Sequence, residues 1–165
     1  MITLVLGGSR SGKSAVAEAL VARWAEPVVY MATGLAPAGD ADMAERIARH
    51  RRRRPAGWTT VEAGADLAGA LAAHPSGTVL VDALGTWVAA HGDLAPDLDG
   101  LLAALAARQG DTVLVSDEVG LGVHPSSEVG RRFRDVLGEV NTAVADAADD
   151  VLFVIAGRVL PLERP

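Results

Sequence analysis

The sequence predicts an α/β domain: a doubly wound, mostly parallel sheet with helices on both faces. Two features of the 165-residue chain carry that reading. Short apolar runs rich in β-branched residues recur along it, and amphipathic helical patterns fall between them. Runs that are apolar at every position suit strands covered on both faces, as in a parallel sheet, rather than strands with one wet face. Strands alternating with helices then join through right-handed crossovers. The length fits a single domain, residues 1–165, able to bury a normal core.

The elements follow in order. Ile2–Leu6 is the first run, and Gly7-Gly8-Ser9-Arg10-Ser11-Gly12-Lys13-Ser14 comes straight after it, completing the pattern GxxxxGK[ST]. A helical stretch with Val16, Leu20 and Trp24 on one face continues from that turn. Val28–Met31 is the second run, followed by Thr33-Gly34, and Val79–Val81 is the third, ending at Asp82. Leu98, Leu101, Leu102 and Leu105 line another helix. Val113–Val115 leads into Ser116-Asp117-Glu118; Val129, Phe133, Val136, Val140 and Val144 share a third helical face; Val151–Ile155 precedes Gly157-Arg158. In such sheets ligands gather at the carboxyl ends of the strands, so these polar clusters would line one crevice.

A strand before the glycine-rich turn and a helix after it make this a phosphate-loop NTPase type of domain. Glycines allow left-handed backbone angles and bring N–H groups close to phosphate oxygens, while the helix starting near Gly12 adds the positive end of its dipole. Lys13 would bridge the β- and γ-phosphates of ATP or GTP, and Ser14 would offer its hydroxyl to the accompanying Mg²⁺. Asp82 stands where such enzymes place the acidic residue that holds this ion. Glu118, or Asp117 beside it, would orient water around the metal or accept a proton from an attacking hydroxyl.

Asp40 to Pro55 is the most unusual segment. Asp42 and Glu45 have the spacing of a helix start with its reciprocal cap, which would put Arg46 and His50 four residues apart on one face. Every position from Arg49 to Arg54 is arginine except His50. Such a field disfavours imidazolium and keeps the ring neutral, while the arginines can pair with phosphate oxygens. Two readings stand side by side: a solvated basic helix face, or a histidine acting as covalent nucleophile towards phosphorus. Trp58 would either stack on a ring or pack, and Arg131, Arg132 and Arg134 would reach an anionic substrate, a neighbouring subunit or solvent.

Composition narrows the classes. A formal net charge of −6 argues against general nucleic-acid binding. No apolar run approaches the ~20 residues of a membrane span, and no charged leader precedes the first strand, so a cytoplasmic protein is expected. The chain has no cysteine, which excludes thiolate chemistry and disulfides.

Together these segments resemble one family, the bifunctional adenosylcobinamide kinase / adenosylcobinamide-phosphate guanylyltransferases of cobalamin biosynthesis. The likeness runs from the phosphate loop through Tyr30-Met31-Ala32-Thr33, Asp42-Met43, Arg46-Ile47, His50-Arg51, Arg54-Pro55 and Trp58. It continues through Val81-Asp82, Thr86-Trp87, Ser116, Glu118-Val119-Gly120, Gly122, Arg132-Phe133-Arg134-Asp135, Gly138, Asn141 and Ala156-Gly157. The resemblance implies two reactions. In one, the γ-phosphate of ATP or GTP passes to the aminopropanol hydroxyl of adenosylcobinamide. In the other, His50 attacks the α-phosphate of GTP and holds GMP, which adenosylcobinamide phosphate then takes up to give adenosylcobinamide-GDP. It further implies nucleotide contacts from the loop, Thr33, Arg46, Arg51, Arg54 and Asp82, catalytic roles for Lys13 and Glu118, and a homo-oligomer, commonly a trimer. The chain departs from the family pattern at Asp117, where Asn is usual, at Thr142, where Gln is usual, and after Asp82, where Cys-Leu-Thr is common. The rival readings are a phosphate-loop kinase of another small molecule and a nucleotide-dependent switch without turnover.

Overall fold

A computed structural model describes residues 1–24, 27–34, 45 and 55–164. Its strands are β1 (Ile2–Gly7), β2 (Val28–Ala32), β3 (Thr59–Glu62), β4 (Thr78–Asp82), β5 (Thr112–Asp117), β6 (Asp150–Ile155) and β7 (Arg158–Leu162). The helices are α1 (Lys13–Val21), α2 (Leu67–Ala72), α3 (Leu84–Ala90), α4 (Leu98–Ala107) and α5 (Glu128–Ala147). The strands form one sheet in the order β3-β2-β4-β5-β1-β6-β7. All pairings are parallel except that of β7 on β6.

Side chains alternate across each strand, and this divides the core into two layers. Leu4, Leu6, Val29, Met31, Val79, Val81 and Leu114 face one side, where Leu67 and Leu71 of α2, Leu84, Trp87 and Val88 of α3, Leu101 and Leu105 of α4, and Leu137, Val140 and Val144 of α5 cover them. Val5, Val28, Tyr30, Leu80, Val113, Val115 and Val154 face the other, against Ala17 and Val21 of α1. Helices therefore lie on both faces, as the continuous apolar runs require. Side-chain oxygens of Asp66, Asp97 and Ser127 accept from the amides of Gly69, Gly100 and Gly130 and set the starts of α2, α4 and α5. At the end of the sheet opposite the loop, Arg108 ties strands and turns together through Thr112 Oγ1 at 2.9 Å and the Gly77 carbonyl at 2.8 Å. Burial lowers its pKa, and the Asp111 carboxylate opposes that shift.

The five expected strands are present, and two more flank them. β3 exposes Thr59, Thr60 and Glu62, and β7 is exposed throughout, so neither has the apolar signature of a covered strand. Two helix faces differ in detail. Ala17 and Val21 meet the sheet under α1, while Val16, Leu20 and Trp24 pack at its flank, because small residues let a helix sit close. On α5 the first turn projects past the edge of the core: Val129 is 69% exposed and Leu137 is fully buried. Among the described residues no helix is long and apolar enough to cross a membrane. Asp42 and the expected helix bearing Arg46 and His50, save Glu45, lie outside the described residues.

Candidate active site

β1 delivers the glycine-rich turn to the middle of the sheet, where Gly7 is in register with Asp117 of β5 and Val154 of β6. Only glycine fits at position 7: a Cβ there would lie 2.5 Å from Ser11 Oγ and 2.8 Å from the Val154 carbonyl oxygen. The loop closes through Ser11 N to Gly8 O at 3.2 Å. Arg10 and Gly12 take left-handed angles, φ 58° and 93°. Two remote segments brace it, with the Gly157 amide donating to Ser11 O at 2.8 Å and the Glu118 amide to Gly7 O at 3.1 Å. α1 begins on Gly12, which has no side chain to cap it; the Lys13 amide donates to Ser11 Oγ at 3.3 Å, and the start of the helix lies at the loop, where its dipole favours an anion. Ser9 and Arg10 are exposed at the tip.

Three strand ends converge here because β4, β5 and β1 are neighbours. Lys13 Nζ is 2.6 Å from Asp117 Oδ1 and 3.4 Å from Gly8 O. Ser14 Oγ donates to Asp82 Oδ1 at 3.3 Å, and Tyr30 donates its hydroxyl to Asp82 Oδ2 at 2.7 Å. Asp117 is itself held in place: its carbonyl accepts from Asn141 Nδ2 at 3.1 Å, and Asn141 Oδ1 accepts from the buried Ser116 hydroxyl at 2.6 Å. Position 85 faces the same carboxylate, with a Cβ there placed 2.9 Å from Asp117 Oδ2.

The remaining expected residues divide. Glu118 turns its carboxylate onto its own loop, where Oε1 accepts from the Gly120 amide at 2.5 Å. Thr33 is fully buried; its hydroxyl accepts from Ala83 N at 3.0 Å and lies 2.6 Å from both the Ala83 carbonyl and Thr86 Oγ1. It thus supports the turn that carries Asp82, in which the Asp82-Ala83 peptide is cis. Trp58 packs against the α1-side apolar layer. Arg131 bonds the carbonyls of Pro125 and Ser126, and Arg134 pairs with Asp135 and lies 2.7 Å from His124 Nδ1. His50, Arg46, Arg51 and Arg54 lie outside the described residues.

Two contacts went unread in the sequence: Tyr30 to Asp82, and Lys13 to Asp117. The first had a signal, since a tyrosine on an apolar run needs a partner for its hydroxyl. The second follows only once β5 is known to lie beside β1. Among the described residues no cluster of three or more His, Asp or Glu side chains would hold a metal by itself. Ser14 Oγ facing Asp82 Oδ1 still fits Mg²⁺, a hard cation that takes one or two protein oxygens and completes its shell with phosphate and water.

Known proteins resemble this chain in fold and in sequence. A solved ATPase from the type III secretion system of pathogenic bacteria superposes with a TM-score of 0.53 at 11% identity, covering 92% of this chain and 50% of that one, a likeness of fold alone. The bifunctional adenosylcobalamin biosynthesis protein CobP of Pseudomonas aeruginosa is 43% identical over 99% of this chain and 98% of its own. The corresponding protein CobU of Escherichia coli is 38% identical over 95% of this chain and 97% of its own. Residues 3–162 match the family described as cobinamide kinase / cobinamide phosphate guanyltransferase, and the chain belongs to that family.

Proposed function

We propose that this chain performs both reactions of its family: phosphorylation of adenosylcobinamide by ATP or GTP, and guanylylation of adenosylcobinamide phosphate by GTP through a histidine-bound GMP. The observation that carries the reading is the convergence of Lys13, Ser14 and Asp82 beside a closed phosphate loop, Lys13 on the Gly8 carbonyl and Ser14 on the Asp82 carboxylate. The loop amides and Lys13 hold the triphosphate and neutralise the charge that spreads over the transferring group. Ser14 and Asp82 would hold Mg²⁺, which supplies further neutralisation of phosphate oxygens when bound.

In the kinase reaction the aminopropanol hydroxyl oxygen forms a bond to the γ-phosphorus, the bond from that phosphorus to the β-phosphate oxygen breaks, and the hydroxyl proton leaves to solvent or a carboxylate such as that of Glu118. In the second reaction a neutral ring nitrogen of His50 bonds to the α-phosphorus of GTP and pyrophosphate departs. The phosphate of adenosylcobinamide phosphate then attacks that phosphorus, and the P–N bond breaks to give adenosylcobinamide-GDP. Arg46, Arg51 and Arg54 would pair with the phosphates, and two easier displacements replace a harder one. Exposed Leu121, Val123, Leu160 and Leu162 support assembly as a homo-oligomer, commonly a trimer in the family that the chain resembles. A chain without cysteine suits the cytoplasm.

The test is incubation with Mg²⁺ and GTP labelled at the α-phosphate, followed by denaturation, with His50→Ala in parallel. Label that survives alkali, is lost in mild acid and disappears in the variant is the expected result. Wild-type protein that binds GTP yet carries no label would overturn the covalent step and favour a kinase of another small molecule.

A further inference from the structure

The phosphate loop of this chain carries its own counter-ion. Lys13 Nζ lies 2.6 Å from Asp117 Oδ1; the lysine side chain is 11% exposed and that of Asp117 34%, so the pair is partly shielded from the solvent that weakens surface ion pairs. Nothing about the contact is incidental. Asp117 is the last residue of β5 and in register with Gly7, the first residue of the loop, and its main chain is fixed by the Asn141–Ser116 pair beneath it. The absence of a side chain at Gly85 leaves the carboxylate its place.

We propose that Asp117 competes with nucleotide phosphates for Lys13, and so is the positioning residue that sets how tightly, and for how long, nucleotide stays on the loop. The inference rests on the reading of the loop as the nucleotide site. A lysine ammonium has three donors, and two are directed to Asp117 Oδ1 and Gly8 O. Binding moves the ammonium onto phosphate oxygens and leaves a carboxylate facing a polyanion. Departure of the spent nucleotide reverses the exchange, with Asp117 taking the lysine back. A competitor of this kind lowers affinity and speeds release together, which suits a site that must discharge nucleotide between turnovers.

The experiment compares wild type, Asp117→Asn and Lys13→Ala, using GDP with Mg²⁺ as the probe. Calorimetry gives the dissociation constant, stopped-flow displacement of a fluorescent GDP gives the release rate, and thermal melting without nucleotide reports on the fold. For Asp117→Asn the expected result is affinity tightened about tenfold, the scale of one charge-assisted contact, with most of the gain in a slower release. Unchanged or weaker GDP binding by Asp117→Asn, with Lys13→Ala impaired, would overturn the competition and leave the loop as the nucleotide site. Lys13→Ala binding GDP as well as wild type does would instead overturn the reading of the loop on which the inference rests. A merely structural role for Asp117 would lower the melting temperature and loosen binding, the opposite of the expected pattern.

Discussion

Tyr30 on β2 donates its hydroxyl to Asp82 Oδ2 at 2.7 Å, from a side chain that is only 2% exposed. The strand that carries Asp82 is its direct neighbour, and the other carboxylate oxygen is turned to Ser14. A core tyrosine therefore aims the carboxylate at the phosphate loop.

Tyr30→Phe removes the donor and keeps the ring. We expect a loss of about 1 kcal/mol in stability, read by urea denaturation, and a severalfold rise in the Mg²⁺ needed for half-maximal nucleotide binding. A variant matching wild type in its Mg²⁺ titration would show that the hydroxyl does not orient Asp82.

Asn141 joins helix α5 to the end of β5 by accepting from Ser116 and donating to the carbonyl of Asp117. Asn141→Ala leaves a buried hydroxyl and a carbonyl without those partners, a cost of about 2–4 kcal/mol. Chemical denaturation measures it, and a loss below half the lower bound would mean that water replaces the amide.

The loop glycines differ sharply. Gly7→Ala places a methyl against Ser11 and the Val154 main chain, whereas a methyl at position 8 meets nothing within 4 Å. Gly7→Ala should therefore abolish measurable nucleotide binding, with Gly8→Ala melting within a few degrees of wild type. Equal behaviour of the two proteins would argue that the loop adjusts freely.

Leu137 is fully buried on α5, and Val129, two turns earlier, is 69% exposed. Leu137→Ala should cost about 2–5 kcal/mol, as core truncations do, while Val129→Ala should stay within about 0.5 kcal/mol of wild type. A large loss at Val129 would reveal that its side chain is covered in the assembled protein.

How much of this was legible follows from what each residue's signal depends on. The phosphate loop and the buried strands announce themselves locally, because Gly12 needs its backbone angle and Val79–Val81 need two covered faces wherever they stand in the chain. β3 and β7 carry no such mark: half-wet edge strands are polar or mixed, and pairing with a neighbour is what makes them strands. The face of α5 was read one turn too early, since periodicity gives the stripe but not the point where the core stops beneath it. Asp117 and Glu118 were indistinguishable as adjacent carboxylates. The end of β5 separates them: Asp117, the last strand residue, meets Lys13, while Glu118, the first of the loop, folds back on Gly120.

The braces on the loop bear on the order in which the protein is made. Gly7 to Ser14 leave the ribosome before the residues that brace them: Ser11 O takes its hydrogen bond from Gly157, and β1 pairs with β5 and β6, whose residues come more than a hundred positions later. Contacts of such long sequence separation form slowly, after the entropy of closing the intervening chain has been met. During synthesis the phosphate loop thus emerges well before the segments that brace it and takes its working shape only with them, so nucleotide has no finished site to enter until β6 and Gly157 are in place.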